Sequence, residues 1–220
     1  MSNIIPVNDK KGPVAEYEKK LASGHLMPDR AQAVLAQQLQ ILLQKIETLE
    51  KNSKSFTWKK RLGFKENRQI KIKGLYIYGD VGRGKSMLMD LFYSSIQIKK
   101  KRRVHFHAFL QDIHLRFNLF RKNNPEGGDP VPAVVKSIVE ESKLLCFDEL
   151  QVVNIVDAMI LGRLFEGLLS HNVIIIATSN RPPDDLYKDG LQRERFLPFI
   201  KLLKNNLNIE YLGASKDYRL

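Results

Sequence analysis

The stretch GDVGRGKS, residues 79–86, decides the fold of this 220-residue chain. It follows the apolar run GLYIY and precedes the helix-like run MLMDLFY. Gly79, Gly84, Lys85 and Ser86 fit the pattern G-x-x-x-x-G-K-[ST]. Glycines allow backbone N–H groups to turn inward and approach phosphate oxygens without an intervening Cβ, and a helix that begins there adds its positive dipole end. The stretch therefore predicts a phosphate-binding loop between a strand and a helix.

The two residues that end the loop indicate which phosphates are bound. Lys85 is predicted to neutralise the β- and γ-phosphates of ATP, and Ser86 to offer its hydroxyl to Mg²⁺. An ordinary glycine-rich turn is the alternative, but the strand, the spacing and the helix together favour a nucleotide site. The residues predicted to bind ATP are Gly79, Asp80, Val81, Gly82, Arg83, Gly84, Lys85, Ser86 and Met87.

A second apolar run, LLCFDEL, supplies the carboxylates that such a site needs. Asp148 is predicted to hold Mg²⁺ through water together with Ser86, and Glu149 to orient and activate the attacking water. The alternative for Asp148 is a helix N-cap after a strand. Because the glutamate gives water a base, the pair favours hydrolysis of ATP over transfer of its phosphate to another acceptor.

A third run, VIIIATSN, ends in polar residues where ligands bind in open α/β sheets. Asn180 is predicted to contact the γ-phosphate or the attacking water, and a capping role in the turn ATSNRPP is the alternative. His105 and His107 lie two residues apart in VHFH and are predicted to face one side of a strand. A structural or substrate-coupling role is favoured over metal binding, because no third ligand is apparent nearby.

From residue 70 onward, apolar strand-like runs alternate with helical patterns, which predicts an α/β fold of the P-loop type. We expect a parallel sheet covered by helices on both faces, preceded by a helix over residues 29–50 with Asp29 as its N-cap. Residues 51–69 are polar and aperiodic and predict a linker, so the chain divides into a helical segment with a basic linker, 1–69, and a P-loop core, 70–220. The predicted strands are Gly74–Tyr78, Val104–Phe109, Leu144–Phe147, Val173–Ala177 and Ile209–Leu212, and the predicted core helices are Lys85–Ile96, Leu110–Lys122, Val131–Glu141, Val156–Ser170 and Leu191–Leu203.

Composition and charge limit the class of protein. A hydrophobic content of 43% and a charged content of 27% are ordinary for globular chains. The first residues lack the pattern of a secretory signal, and no apolar run is long enough to span a membrane. The single cysteine, Cys146, is expected to be a buried structural thiol. We therefore expect a cytoplasmic protein with at most peripheral membrane association. The formal net charge is +12 and residues 1–73 are strongly basic, which indicates either a nucleic-acid contact or merely scattered, solvated lysines.

Several long blocks, taken in order, resemble the ZapE/AFG-one-like family of AAA+-type P-loop ATPases, found in bacterial division control and mitochondrial protein quality control. The resemblance implies an AAA+ core, a three-layer sandwich with a five-stranded parallel sheet. It also implies that Lys85 and Ser86 belong to Walker A, Asp148 and Glu149 to Walker B, and Asn180 to sensor one. The blocks are GLYIYGDVGRGKSMLMDLFY, RRVHFHAFLQDIH, LLCFDELQV and ATSNRPPDDLYKDGLQRERFLPFI.

The same resemblance extends to assembly and to partners. One or both of Arg193 and Arg195, in LQRERF, resemble the arginine finger presented to the γ-phosphate of a neighbouring subunit, and a charged helix face is the alternative. The sequence ends at Leu220, before the helical lid of the family, and we expect the lid to be absent. The favoured hypothesis is an ATP-hydrolysing protein that acts on protein partners in cell division or quality control, with homo-oligomerisation left open. A DNA-associated ATPase of the helicase-loader type is a less favoured alternative. A nucleotide-binding module with little hydrolysis is the third hypothesis.

Overall fold

The computed structural model describes residues 11–60 and 71–213, with side chains described for 11–51 and 71–213. The chain divides into two compact units, one of residues 1–68, 86–98 and 212–220 and the other of residues 69–85 and 99–211. The predicted boundary between residues 69 and 70 lies outside the described residues. The division into 1–69 and 70–220 therefore stays a prediction.

In the first unit, helix α1 (Pro13–Ala22) packs against helix α2 (Arg30–Lys60). Asp29 is the N-cap of α2, as predicted, because its Oδ1 accepts hydrogen bonds from the backbone N–H groups of Ala31 and Gln32, at 2.8 and 3.1 Å. The predicted linker is wrong over residues 51–60, which continue α2 as helix. The rest of that linker lies outside the described residues. The buried stripe of α2 comprises Leu35, Leu39, Leu42 and Ile46.

The second unit is built on a five-stranded parallel sheet with the order β2-β3-β4-β1-β5, which confirms the predicted α/β fold class. Parallel strands need long crossovers, and helices supply them. All five strands end at the same edge of the sheet, and the polar residues of the site follow there. The strands are β1 (Gly74–Tyr78), β2 (Lys101–His105), β3 (Leu144–Asp148), β4 (Ile174–Ser179) and β5 (Leu207–Tyr211).

Aromatic rings fill the core between this sheet and its helices. The rings of Phe109 and Phe147 lie 4.7 Å apart, and those of Phe165 and Phe199 meet edge to face at 5.0 Å. Phe147 comes from the strand that ends in Asp148, so the core fixes the position of that strand's end. The helices are α3 (Lys85–Ser95), which continues into the first unit, α4 (Phe106–Asn123), α5 (Pro130–Glu141), α6 (Ile155–Ser170) and α7 (Leu197–Asn206), with single 3₁₀ turns at Pro183–Asp185 and Arg193–Arg195.

Two predicted elements are wrong in type or extent. The strand predicted at Val104–Phe109 ends at His105, and Phe106 begins α4, because Phe106, Phe109 and Ile113 recur at helical spacing and all three are buried. The helix predicted at Leu191–Leu203 begins at Leu197, since Pro198 is tolerated only in a helix's first turn. Strands β4 and β5 are displaced from their predicted bounds by one or two residues.

Two smaller expectations concern the thiol and the membrane. Cys146 is buried in β3 as a free thiol, and burial raises the pKa of that thiol well above its usual value. This agrees with a structural role for the side chain. Among the helices described, none combines the length and the apolar character that crossing a membrane requires.

Candidate functional site

The loop after β1 has the backbone that its glycines predict. Gly82 and Gly84 have φ angles of 79° and 92°, a left-handed conformation that strains other residues. Lys85, only 8% exposed, turns its ammonium back into the loop, where Nζ donates to the carbonyl oxygens of Gly79 and Asp80 at 2.7 and 2.8 Å. The loop is thus closed around a cation that is available to a phosphate.

The same ammonium is linked electrostatically to the end of β3. Burial lowers the pKa of Lys85 from its ordinary value, and the negative charges of Asp80 and Glu149 partly oppose that shift. Glu149 therefore lies within electrostatic reach of Lys85. The charges of the glycine loop and of Glu149 are thus close enough to interact, and the assignment of both to one nucleotide site stays a prediction.

Asp148, the last residue of β3, is buried, with 6% of its surface exposed. Its carboxylate is held by a fork of two hydrogen bonds from Arg103 on β2: Nε donates to Oδ2 at 2.7 Å and Nη2 to Oδ1 at 3.2 Å. A carboxylate so buried requires a cationic or hydrogen-bonding partner, because an unpaired buried charge is costly. The position is suited to binding cations.

Glu149 is exposed, but its backbone is held in an uncommon conformation. Its φ angle is 56°, in the left-handed region, and its N–H donates to the hydroxyl Oγ1 of Thr178 at 3.1 Å. The next residue is tied to the same strand: Leu150 N–H donates to the carbonyl of Thr178 at 2.7 Å, and the hydroxyl of Ser179 donates to the Leu150 carbonyl at 2.8 Å. The ends of β3 and β4 are therefore joined by both backbone and side chains.

Asn180 follows β4 and is exposed at this edge of the sheet. The backbone on either side of it is anchored: Gly79 N–H donates to the Ser179 carbonyl at 3.3 Å, and the Tyr76 hydroxyl donates to the Arg181 carbonyl at 2.8 Å. Asn180 is thus carried on a turn fixed to β1, the strand that leads into the glycine loop.

The two candidate finger arginines differ in what they contact. Arg193 is half-buried, and its guanidinium donates to the backbone carbonyls of Leu186, at 2.6 Å, and of Asp184. Arg195 is exposed; its backbone N–H donates to the Gln192 carbonyl at 3.0 Å, and within the described residues no hydrogen-bonded or ionic partner is found for its guanidinium. The site residues Ser86 and Met87 fall in the first unit, as the second and third residues of α3.

The histidines do not share one face of a strand, because β2 ends at His105 and His107 lies in α4. Both nevertheless line a cavity of about 360 Å³, together with Asp148 and Glu149. No cluster of three or more ligating side chains suited to a metal occurs in the described ranges 11–51 and 71–213. Metal binding by the histidine pair is therefore not supported.

Sequence reasoning assigned no role to three residues that shape this site: Arg103, Thr178 and Ser179. Arg103 lies in KRRVH, where nothing distinguishes it from its basic neighbours, because its partner depends on the register of β2 against β3. Thr178 and Ser179 could have been recognised from their position in ATSN. Two hydroxyl residues at the end of an apolar run require hydrogen-bond partners when they are buried.

Known proteins resemble this chain in sequence and in fold. The model of the AFG1-like ATPase family matches residues 11–220. Lactation elevated protein 1 homolog B from Danio rerio is 50% identical over 67% of this chain and 31% of its own length. Cell division protein ZapE from Escherichia coli K12 is 36% identical over 94% of this chain and 56% of its own length. The chain thus spans between about a third and just over half of these relatives. A solved structure titled as replication initiator DnaA bound to AMPPCP and single-stranded DNA matches with a TM-score of 0.53, at 15% identity over 94% of this chain and 51% of the other, which shows the fold alone.

Proposed function

The chain belongs to the AFG1-like ATPase family, and from this premise we propose that it binds ATP with Mg²⁺, hydrolyses it and acts on protein partners. One observation carries the catalytic part of the proposal. Lys85 from the glycine loop and the Asp148–Glu149 pair from β3 lie at one edge of the sheet, and Glu149 is in electrostatic reach of the buried Lys85 ammonium. In this arrangement, the ammonium proposed to bind phosphate, that of Lys85, lies near the carboxylate proposed to accept a proton from water, that of Glu149.

In this proposal, residues 79–87 enclose the phosphates. The Lys85 ammonium, already desolvated, exchanges two carbonyl oxygens for oxygens of the β- and γ-phosphates. Little additional desolvation is then required when the nucleotide enters. The DnaA structure of similar fold is bound to the nucleotide analogue AMPPCP, which supports nucleotide binding by this chain.

The metal role is proposed for Asp148 and Ser86. Carboxylate and hydroxyl oxygens are ligands of the kind that Mg²⁺ prefers, and the buried Asp148 carboxylate fits this role because it already holds a cation. When bound, Mg²⁺ neutralises charge that develops on the phosphates. The chain's part is to supply the Asp148 carboxylate at the fixed end of β3, where Arg103 donates two hydrogen bonds to it.

Glu149 is the proposed general base. Its exposed carboxylate can accept a proton from a water in the cavity, while Thr178 holds its backbone in the left-handed conformation that aims the side chain. Asn180, on the next strand end, is proposed to hold the attacking water or the γ-phosphate.

Of the two candidate finger residues, we assign the role to Arg195. The Arg193 guanidinium is already hydrogen-bonded to two carbonyls of its own chain, which suits it to holding the turn. Arg195 is exposed and available to a second subunit. A finger supplied in trans also implies that the active form is an oligomer, the size of which we leave to measurement.

The proposed partners are proteins, because the ZapE relative is a cell division protein by name and covers 94% of this chain. The alternative, a DNA-associated ATPase, is favoured by the basic residues 1–73 and by the single-stranded DNA in the DnaA structure of similar fold. The two functions differ in salt response: binding of a labelled single strand that weakens steeply as salt rises would favour DNA.

The proposal is tested by measuring ATP hydrolysis and mass in solution over a range of chain concentrations, with and without Mg²⁺. We expect hydrolysis to require Mg²⁺ and the rate per chain to rise with concentration. A mixture of Lys85→Ala, which retains Arg195, and Arg195→Ala, which retains Lys85, should recover activity that neither has alone. Arg193→Ala is the matched control: it keeps both Lys85 and Arg195, so it should hydrolyse ATP alone, and mixing it with Lys85→Ala should add little. Mg²⁺-independent phosphate release, or none at any concentration, would contradict the proposal.

A further inference from the structure

Arg102 and Arg103 are adjacent on β2 but engage different parts of the molecule. Alternate side chains of a strand point to opposite faces. Arg102 pairs with Asp112 of α4 at 2.7 Å, whereas Arg103 pairs with Asp148 at the same distance. Arg103 lies opposite Cys146 in the register, so its side chain reaches along β3 toward the strand's end. One arginine of the pair thus fastens a helix, and the other fastens a residue of the proposed metal site.

The Arg103–Asp148 pair uses both oxygens of the carboxylate. The two hydrogen bonds, at 2.7 and 3.2 Å, form the fork that guanidinium groups make with carboxylates, and the side chains are 18% and 9% exposed. A guanidinium keeps its charge throughout the ordinary pH range. The carboxylate is therefore neutralised by a cation of the chain itself when no metal is bound.

A metal ion approaching Asp148 meets this fixed charge. A singly charged cation several ångströms from a doubly charged one opposes its binding by about tenfold in affinity, even in a medium as polar as water. The guanidinium and the metal's hydration shell also compete for the same two oxygens. Without the arginine, however, the metal-free protein would bury an unpaired carboxylate.

We propose that Arg103 is an exchangeable counter-ion for Asp148, which stabilises the metal-free site and raises the Mg²⁺ concentration that the site requires. The inference rests on the proposed function, in which Asp148 serves Mg²⁺. It assigns to β2 a role in setting when the nucleotide site becomes metal-loaded.

The test is thermal unfolding of the full chain with β,γ-methylene-ATP, titrated with MgCl₂. Arg103→Gln removes the charge but retains one amide donor for the carboxylate. We expect its ligand-free Tm to fall by about 5 °C or more, because a buried pair is broken. We also expect the Mg²⁺ concentration that gives half of the metal-dependent Tm rise to fall by about tenfold.

Two variants serve as controls. Arg102→Gln removes the same charge from the same strand and should leave the half-saturating Mg²⁺ concentration within about twofold of that of the unmodified chain, because Arg102 pairs with Asp112. Arg103→Lys keeps the charge and loses the fork, so its Tm should fall while its Mg²⁺ dependence stays close to that of the unmodified chain.

An unchanged or higher half-saturating Mg²⁺ concentration in Arg103→Gln would overturn the inference. If that variant does not fold, the Nε–H proton of Arg103 in the unmodified chain, assigned with Arg103→Lys, decides the matter. Its exchange with solvent should accelerate when Mg²⁺ is added to the nucleotide complex, and unchanged exchange would overturn the inference. Failure of the proposed function is distinct: Asp148→Asn would then respond to Mg²⁺ as the unmodified chain does, or the unmodified chain would not respond at all.

Discussion

The two halves of the proposed site are built by different means. The glycine loop, residues 79–84, is shaped by backbone: two residues have left-handed φ angles, Val81 is 81% exposed, and the buried Lys85 closes the loop from inside. The ends of β3 and β4 are shaped by side chains, because buried Thr178 and Ser179 fasten the strands together. The first half is suited to enclosing an anion, whereas the second holds the groups proposed to be catalytic through hydrogen bonds between the strand ends.

This difference predicts how the halves respond to substitution. In the loop, one side chain carries most of the binding charge, so its loss should remove the ligand. At the strand ends, several hydrogen bonds act together, so single losses should reduce the rate and leave binding in place.

Lys85→Ala should weaken ATP binding by about 10³-fold, the scale for removing one partner from a desolvated charge pair. Isothermal titration with β,γ-methylene-ATP measures the effect. Lys71→Ala, a change at an exposed lysine before β1, is the matched control and should bind normally. Affinity retained in Lys85→Ala would contradict the description of the loop as the charge-bearing half.

Glu149→Gln should preserve ATP–Mg²⁺ binding and slow hydrolysis by about 10²-fold or more, because the amide cannot accept the proton of water. Single-turnover hydrolysis separates the chemical step from release of product. A rate within a factor of two of the original would show that Glu149 is not the base.

Thr178→Val should lower kcat by about tenfold with little change in KM, because the valine keeps the shape and loses the hydroxyl that accepts from the Glu149 N–H. Thr178→Ser keeps that acceptor and should restore most of the rate. If the valine variant is as fast as the unmodified chain, this hydrogen bond does not position Glu149.

Arg116 lies outside the proposed site, where it pairs with Asp112 and Glu141. Arg116→Met should therefore leave kcat and KM unchanged. Hydrogen bonds from Arg116 lower the pKa of Glu141, and those from Arg116 and Arg102 outweigh the effect of burial to lower the pKa of Asp112. Carboxylates with lowered pKa values stabilise the fold above their unfolded pKa and lose that effect as pH falls through the folded pKa. The variant should therefore lose about 1 kcal/mol of unfolding free energy at pH 7, because Glu141 is nearly half exposed and screened by water, and progressively less as the pH falls through the folded pKa values of Glu141 and Asp112. Urea unfolding at pH 7 and at a series of lower pH values measures the loss, and a loss that does not change with pH would refute the ionic origin.

The sequence predicts the backbone-shaped half more completely than the side-chain-shaped half. A phosphate loop requires particular residues at fixed spacing, so GDVGRGKS can be recognised from the sequence alone. The bounds predicted for β1 are those of the structure. Asp29 can be recognised as an N-cap for the same reason, because the backbone N–H groups that donate to it lie two and three residues away. Local interactions leave local patterns.

Other features could not be predicted because their partners are distant in sequence. Arg103 meets Asp148 across 45 residues, and Thr178 meets Glu149 across 29. The run VHFHAFL satisfies both the alternation of a strand and, through its phenylalanines, the spacing of a helix, and only packing against Phe147 decides between them. Residues 51–60 lack apolar periodicity, yet they extend a helix already formed, which needs no new nucleus.

The left-handed backbone conformation of Glu149 lowers the thermal stability of the protein at the residue proposed to act as the base. Glycine at this position would relieve about 1 kcal/mol of strain, and asparagine part of it, so both would be expected to give a protein that survives heat better. Both would also lack the carboxylate proposed to activate water. A selection for thermal endurance alone would therefore tend to discard the residue on which turnover depends, and laboratory libraries of this chain should be screened for both properties together.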